Sequence, residues 1–287
     1  MGKTALVTGS AGFVGRHLVN YLKQKCGVNV LEYDIRDGLD ITDYHQLRNV
    51  FLLNQISEVY HLAAQAFVGP GEADPYRDLD INGKGMINVL RCLEEFRVPM
   101  VFTSSGSVYG LTDSFPHRED AALRPVANYG CTKRLAELYL QKWAVMVGVN
   151  AKAVRFSSVY GPGRGMQGPV NVFVELAKQG KPLTVYGDGS QTRDLIHVDD
   201  AVRGLRKVLQ MGKPGEVYNV GCGVEHSVRE VAEIVSGLTG AEIRYVAGHE
   251  FSRFDIKRSY YDIGKARGIG FEPRIGLEDG IKSLICD

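Results

Sequence analysis

The sequence has almost no net charge: 34 lysines and arginines stand against 33 aspartates and glutamates, a formal +1 at pH 7. Such a chain has no global field to draw a nucleic-acid polymer or an anionic membrane, so an anionic ligand must be held by local groups. Cysteine is sparse as well. The five, Cys26, Cys92, Cys131, Cys222 and Cys286, are odd in number, scattered and without CxxC spacing. That argues against a zinc site and a secreted disulfide framework, and points to a reducing cytoplasm. No apolar run is long enough for a membrane span, and the opening Ala5-Leu6-Val7 is cut off at Thr8-Gly9, too short for a signal-peptide core. Met1-Gly2 lacks the Ser or Thr of a myristoylation signal, since Leu6 stands there. The seven histidines form no HExxH helix, and neither a GxSxG elbow nor a Cys/His pair suggests a hydrolase. No metal site is expected.

What is present is the ordinary balance of a globular protein, 44% hydrophobic and 23% charged over 287 residues, near the upper limit for one core. Apolar runs at 4–7, 29–33, 58–62, 100–103 and 151–156 read as strands. Helical patterns at 15–25, 44–54, 82–96 and 129–147 lie between them. Strict alternation predicts right-handed βαβ units, hence an α/β fold with a doubly wound parallel sheet. After Phe156 the texture changes, with Gly161, Pro162, Gly163, Gly165, Gly168 and Pro169 crowded together. A helix at 198–210 and a strand at 216–220 read as a return to the sheet. The chain is therefore expected to divide into a dinucleotide-binding Rossmann domain, 1–157 and 198–223, and a smaller discontinuous substrate-binding lobe, 158–197 and 224–287.

The first strand ends in Thr8-Gly9-Ser10-Ala11-Gly12-Phe13-Val14-Gly15 and enters an amphipathic stretch with Leu18, Val19 and Leu22. Gly9, Gly12 and Gly15 suit a tight turn, close approach of a pyrophosphate to the backbone and close helix packing, with the helix N-terminus facing the phosphates. Asp34 closes the second strand about twenty residues on, where it would meet a ribose 2′-hydroxyl and repel a 2′-phosphate. NAD is thus favoured over NADP. Asp37 and Asp40 lie close enough to compete for that role, and an idle loop acid would look the same.

Tyr129 and Lys133 stand four residues apart, on one helix face. A cation near a phenol favours the phenolate, which can take a proton from a hydroxyl as hydride leaves the same carbon. Alone, such a pair reads more simply as a solvated face. The neighbouring strand end, Phe102-Thr103-Ser104-Ser105-Gly106-Ser107-Val108-Tyr109-Gly110, is rich in hydroxyls, which a plain turn would also explain.

Taken together, the Gly-x-x-Gly-x-x-Gly spacing and the Tyr-x-x-x-Lys pair resemble the extended short-chain dehydrogenase/reductase superfamily, and the resemblance covers nearly the whole chain. Asp40-Ile41 resembles the pair that cradles adenine, His61-Leu62-Ala63-Ala64 the segment beside the cofactor, and Asn82 a structural asparagine. The resemblance implies NAD contacts at Phe13, Val14, Leu62, Ala63, Ala64 and Phe156, besides the glycines, Asp34, Tyr129 and Lys133. It implies Ser105 as the hydroxyl that bonds the reacting oxygen. Two later blocks, 154–162 and 186–200, are similar to the nucleotide-sugar epimerase/dehydratase branch, in which Arg193 would hold the sugar nucleotide's diphosphate. An ion pair of Arg193 with Asp194 or Asp199 is the simpler alternative. Ser158 stands where the branch commonly has asparagine. Ser252 replaces an arginine, so Arg253, one step later, is taken as the second phosphate contact. The substrate set is Ser105, Ser107, Tyr129, Ser158, Arg193 and Arg253, for a nucleotide-diphosphate sugar.

In that branch, 4,6-dehydratases carry an acidic pair directly after the catalytic hydroxyl; here Gly106 and Ser107 stand there. The resemblance therefore implies a 4-epimerase, with a 4-ketosugar reductase as the runner-up. A non-catalytic NAD-binding protein is the alternative from another class. Homodimerisation is implied through the helices beginning near Asn82 and Tyr129, with Val89, Leu90, Leu93, Leu135, Leu138 and Tyr139 as a shared apolar face or, equally, as part of each monomer's interior.

Overall fold

The computed structural model describes residues 2–163, 167–247 and 256–286. Its centre is a six-stranded sheet with every pairing parallel. The first five strands are β1 (Thr4–Thr8), β2 (Asn29–Tyr33), β3 (Glu58–His61), β4 (Met100–Ser105) and β5 (Ala151–Phe156). With the strand Val217–Val220 at one edge, the order across the sheet is Val217–Val220, β5, β4, β3, β1, β2. The direction of winding reverses between β1 and β3, and the crevice beyond their carboxyl ends is where such sheets bind ligands.

Apart from the edge strand β2, whose Asn29 and Glu32 are exposed, the strands are buried on both faces, as parallel strands under helices must be. Side chains alternate between the two covering layers. Ala5 and Val7 of β1 face one layer with Val101 and Val154; Leu6 faces the other with Met100, Phe102 and Ala153. The first layer is α1 (Phe13–Cys26), through Leu18, Val19 and Leu22, and the helix Val198–Met211, through Ala201, Leu205 and Val208. The second is made by the helices Tyr44–Leu53, Gly85–Phe96 and Asn128–Val147. Val89, Leu90 and Leu93 belong to this second layer and are buried in the monomer. They are unavailable as a subunit face. Of the apolar residues considered for that role, Leu138 is exposed, at 48%.

A third cluster lies beyond the carboxyl ends of the strands. It joins the helices Gly168–Lys178, Val228–Thr239 and Leu277–Cys286 to the parallel pair Leu183–Tyr186 and Ile243–Val246. The terminal segment serves both bodies: Ala266 and Phe271 pack on the sheet layer, whereas Ile281 and Leu284 pack in the third cluster. Among the described residues, no helix is long and apolar enough to cross a membrane.

Candidate active site

The crevice at the ends of β1 and β3 is built from glycine because backbone must pass backbone. Gly9 sits at φ +70°, and a Cβ there would lie 2.6 Å from the Ala63 nitrogen. A Cβ on Gly15 would collide with the Gly9 carbonyl oxygen and lie 2.8 Å from that of Ser10, so α1 can approach the turn only as glycine. Gly12 caps α1 with no side chain across its first turn, which carries no acid. The helix thus turns its positive pole to the crevice with no acid of its own against it, the requirement of a pyrophosphate. Phe13 and Val14 are half-buried against the sheet layer, as is Phe156 at the end of β5.

Asp34 is brought to this turn: its carboxylate accepts the N–H of Ala11 at 2.9 Å and of Arg36 at 3.0 Å. Asp40 is not. Its Oδ1 accepts the N–H of Thr42, while its own N–H donates to Gln46. Ile41 is buried, its carbonyl held by Asn88. Leu62 and Ala63 are tied to β1 through N–H bonds to the Thr8 carbonyl and hydroxyl, and Ala64 follows directly. His61 bonds Thr8 Oγ1 at 2.8 Å, and burial, then the Lys133 charge, pushes its pKa down to about 3. It is a neutral structural group.

The helix Asn128–Val147 carries Tyr129 in its first turn and Lys133 in its second. The surface-face reading of this pair fails, because Lys133 is only 2% exposed. Its Nζ donates to the Thr103 carbonyl at 2.8 Å and lies 5.8 Å from the centroid of the Tyr129 ring. Burial lowers its pKa to about 7, against the upward pull of Asp78 and Glu137. On β4, Ser105 ends the strand and caps a short 3₁₀ turn, Gly106–Val108; its Oγ accepts the Ser107 N–H at 3.1 Å and lies 3.2 Å from Ser107 Oγ. A Cβ on Gly130 would lie 2.6 Å from the Ser107 carbonyl oxygen, so the helix start and the serine turn are in contact.

Two buried networks lock this geometry, and neither was evident from the sequence. Glu137 accepts Ser104 Oγ at 2.6 Å and a bidentate pair from Arg155 at 2.9 and 2.8 Å, joining helix, β4 and β5. Burial opposes the Glu137 charge, but Arg155 outweighs it and holds the carboxyl below its usual range. Asn82 lies in a π-helical turn, Asp80–Lys84, and donates to Gln65, Asp78 and Thr132; Thr132 in turn donates to Asp78 at 2.6 Å. Glu137 lies four residues beyond Lys133 and Asp78 four before Asn82. Helical spacing was the one available signal.

Arg193 lies on a two-residue strand paired with His226–Ser227, and its Nη1 donates to the Thr192 carbonyl at 2.7 Å. Asp194 spends its carboxylate on the N–H groups of Cys222 and Gly223, and Asp199 lies 3.8 Å from both His17 and His197. Ser158 donates its N–H to the Asp194 carbonyl, which fixes it beside this strand. Arg253 lies outside the described residues, as does Ser252.

The model of the NAD dependent epimerase/dehydratase family matches residues 5–221, well over half of the chain. The chain belongs to that family. It is accordingly an enzyme of an NAD-dependent class with a Rossmann-like sheet. It is 31% identical over 310 residues to UDP-glucuronate 4-epimerase of Thermodesulfobacterium geofontis, covering 98% of this chain and 94% of that one. The crystal structure of UDP-glucose 4-epimerase with UDP-glucose from Thermotoga maritima superposes with a TM-score of 0.91 at 31% identity, over 98% and 97% of the two chains. That of Thermus thermophilus UDP-glucose 4-epimerase in complex with NAD gives 0.88 at 29%, over 99% and 98%. The human dTDP-D-glucose 4,6-dehydratase is similar at 27% identity, over 99% of this chain and 89% of that one.

Proposed function

We propose that the protein inverts C4 of the hexose in a nucleotide-diphosphate sugar. The observation that carries this reading is the serine turn: Ser105 is followed by Gly106 and Ser107, and the only side chain there is a hydroxyl bonded back to Ser105. Elimination across C5 and C6 needs an acid and a base beside the reacting hydroxyl, and these two residues supply neither.

The residues fit the cofactor on two structural grounds: the glycine turn sets bare backbone, close-packed and without side chains, before the positive pole of α1, and Asp34 closes its rim. Gly9, Gly12, Gly15 and the α1 N-terminus would hold the pyrophosphate, and Asp34 the adenosine ribose. When bound, NAD supplies reversible hydride acceptance at C4. Tyr129 takes the proton from the 4-hydroxyl and later returns it, with Ser105 hydrogen-bonded to the same oxygen. Lys133, fixed on the Thr103 carbonyl, favours the phenolate while it is charged. Arg193 grips the diphosphate, so the hexose can turn over while its nucleotide stays held.

The homologous epimerases support UDP-glucose or UDP-glucuronate as the first substrates to try. We read the working form as a homodimer paired along the outer stripe of the helix Asn128–Val147, where Leu138 and Val145 are exposed. The five free cysteines suit a reducing cytoplasm. Incubation of the purified protein with each nucleotide sugar, without added NADH, tests the reaction: the 4-epimer should accumulate to equilibrium. Stoichiometric NADH oxidation by a 4-keto-6-deoxy sugar, with no epimer from any hexose or hexuronate, would replace epimerase by reductase.

A further inference from the structure

The chain returns to the serine turn from its far end. Residues 256–262 run from the Arg193 strand, where the Thr192 N–H donates to the Lys257 carbonyl at 2.9 Å, to the loop after β4. There His117 donates its N–H to the Tyr260 carbonyl and receives that of Asp262, both at 2.9 Å. Tyr261 is pinned between these two bonds and is 6% exposed. Its ring packs with Val108, Tyr109 and Ile263 and stands edge-on to His117 at 5.5 Å. Its hydroxyl bonds Ser259 Oγ at 3.2 Å.

Gly106 also lies against that hydroxyl. A Cβ built on Gly106 would fall on the Tyr261 hydroxyl oxygen, with Cζ 2.7 Å and Cε1 3.0 Å away. The phenol therefore occupies the volume in which a side chain at position 106 would begin. It is wedged under a 3₁₀ turn of three residues whose N-terminal cap is Ser105 itself. Burial pushes the Tyr261 pKa well up, so the group is a neutral phenol and no base.

We propose that Tyr261 is a positioning residue for the serine turn, its phenol standing in for the side chain that Gly106 lacks, so that Ser105 is aimed from the far end of the chain and no acid can stand at position 106 beside it. The inference rests on Ser105 bonding the reacting oxygen. Removal of the wedge opens a void beneath the turn, and a displacement of the hydroxyl by about 1 Å costs on the order of 100-fold in rate. Tyr261 meets the turn through the end of its ring, whereas the diphosphate is gripped from Arg193. Its loss should therefore fall on kcat and spare KM.

The experiment uses the full-length NAD-loaded protein with UDP-glucose and UDP-glucuronate. Tyr261→Leu, which keeps the apolar packing but cannot reach Gly106, should lower kcat about 10- to 100-fold with KM and NAD content unchanged. Tyr261→Phe should stay within about threefold of the parent, because the ring still reaches the turn. Gly106→Ala should be impaired and thermally less stable. The Gly106→Ala, Tyr261→Leu double variant should exceed the Gly106→Ala single variant in both kcat and melting temperature, because the added methyl then has room. An unimpaired Gly106→Ala, a double variant no better than Gly106→Ala, or a Tyr261→Leu loss confined to KM overturns the proposal. A parent protein that forms no 4-epimer from any nucleotide hexose or hexuronate overturns the functional reading instead, and the melting temperatures of the parent, Gly106→Ala, Tyr261→Leu and the double variant still decide whether phenol and glycine share one volume.

Discussion

Lys133 should be worth more to the reaction than to the fold, and replacing it by methionine separates the two. The ammonium is fully enclosed, and its pKa falls from 10.5 to about 7 on folding because burial penalises the charge. Since the folded form holds the proton less tightly, its penalty is constant below about pH 7, shrinks as pH rises between about 7 and 10.5, and vanishes above. At ~1.36 kcal/mol per decade, the fall amounts to about 5 kcal/mol. Methionine of similar length removes that penalty but leaves the Thr103 carbonyl without its donor, a loss of about 1–3 kcal/mol. Lys133→Met should thus stabilise the NAD-stripped protein by about 2–4 kcal/mol near pH 6. It should be no more stable than the parent near pH 10.5, where only the lost hydrogen bond remains. Activity should fall by about two to four orders of magnitude, because Tyr129 loses its cation. Urea unfolding of both proteins at the two pH values measures the difference directly. A variant less stable than the parent near pH 6, or a difference independent of pH, would refute the reasoning.

Tyr129→Phe should bind NAD normally and lose about two to four orders of magnitude in turnover, measured as epimer formed at saturating sugar nucleotide. Retention of most activity would remove Tyr129 from the proton chemistry. Asp34→Ala should narrow the preference for NAD over NADP, because the carboxylate beside the Ala11 N–H repels a 2′-phosphate; equal affinities in the parent protein would defeat the assignment. Gly15→Ala should weaken NAD binding at least about tenfold in a titration, since its methyl must displace the Gly9 carbonyl that shapes the turn. Light scattering at micromolar concentration should give twice the monomer mass, and Leu138→Glu should shift it to monomer; a monomeric parent would end the dimer reading.

Local signals made the sheet legible in advance. A strand buried on both faces must be apolar almost throughout, and α1 needs its stripe of Leu18, Val19 and Leu22, so β1 and α1 stand in the sequence almost as they stand in the fold. The glycine turn was legible for a related reason: only glycine tolerates backbone passing backbone at Gly9 and Gly15. Periodicity tells that a face is covered, not by what. Val89, Leu90 and Leu93 have the spacing of any buried stripe, and the structure alone assigns them to their own monomer.

The same limit hid the parts of the site that depend on distant residues. Arg155 on a strand reads as an intrusion of charge until Glu137, eighteen positions earlier on a helix, is seen to accept it through two bonds. Gly106 reads as a missing acid, which is a statement about chemistry. In the fold it is also an occupied volume, filled by Tyr261 from the opposite end of the chain. An absence read from sequence is reversible by a single substitution, whereas an absence enforced by a packed phenol is not. An aspartate placed at position 106 would have to displace a ring held by the backbone bonds on either side of it. The character of this turn is therefore set by the pair, and by the segment that brings its second member home.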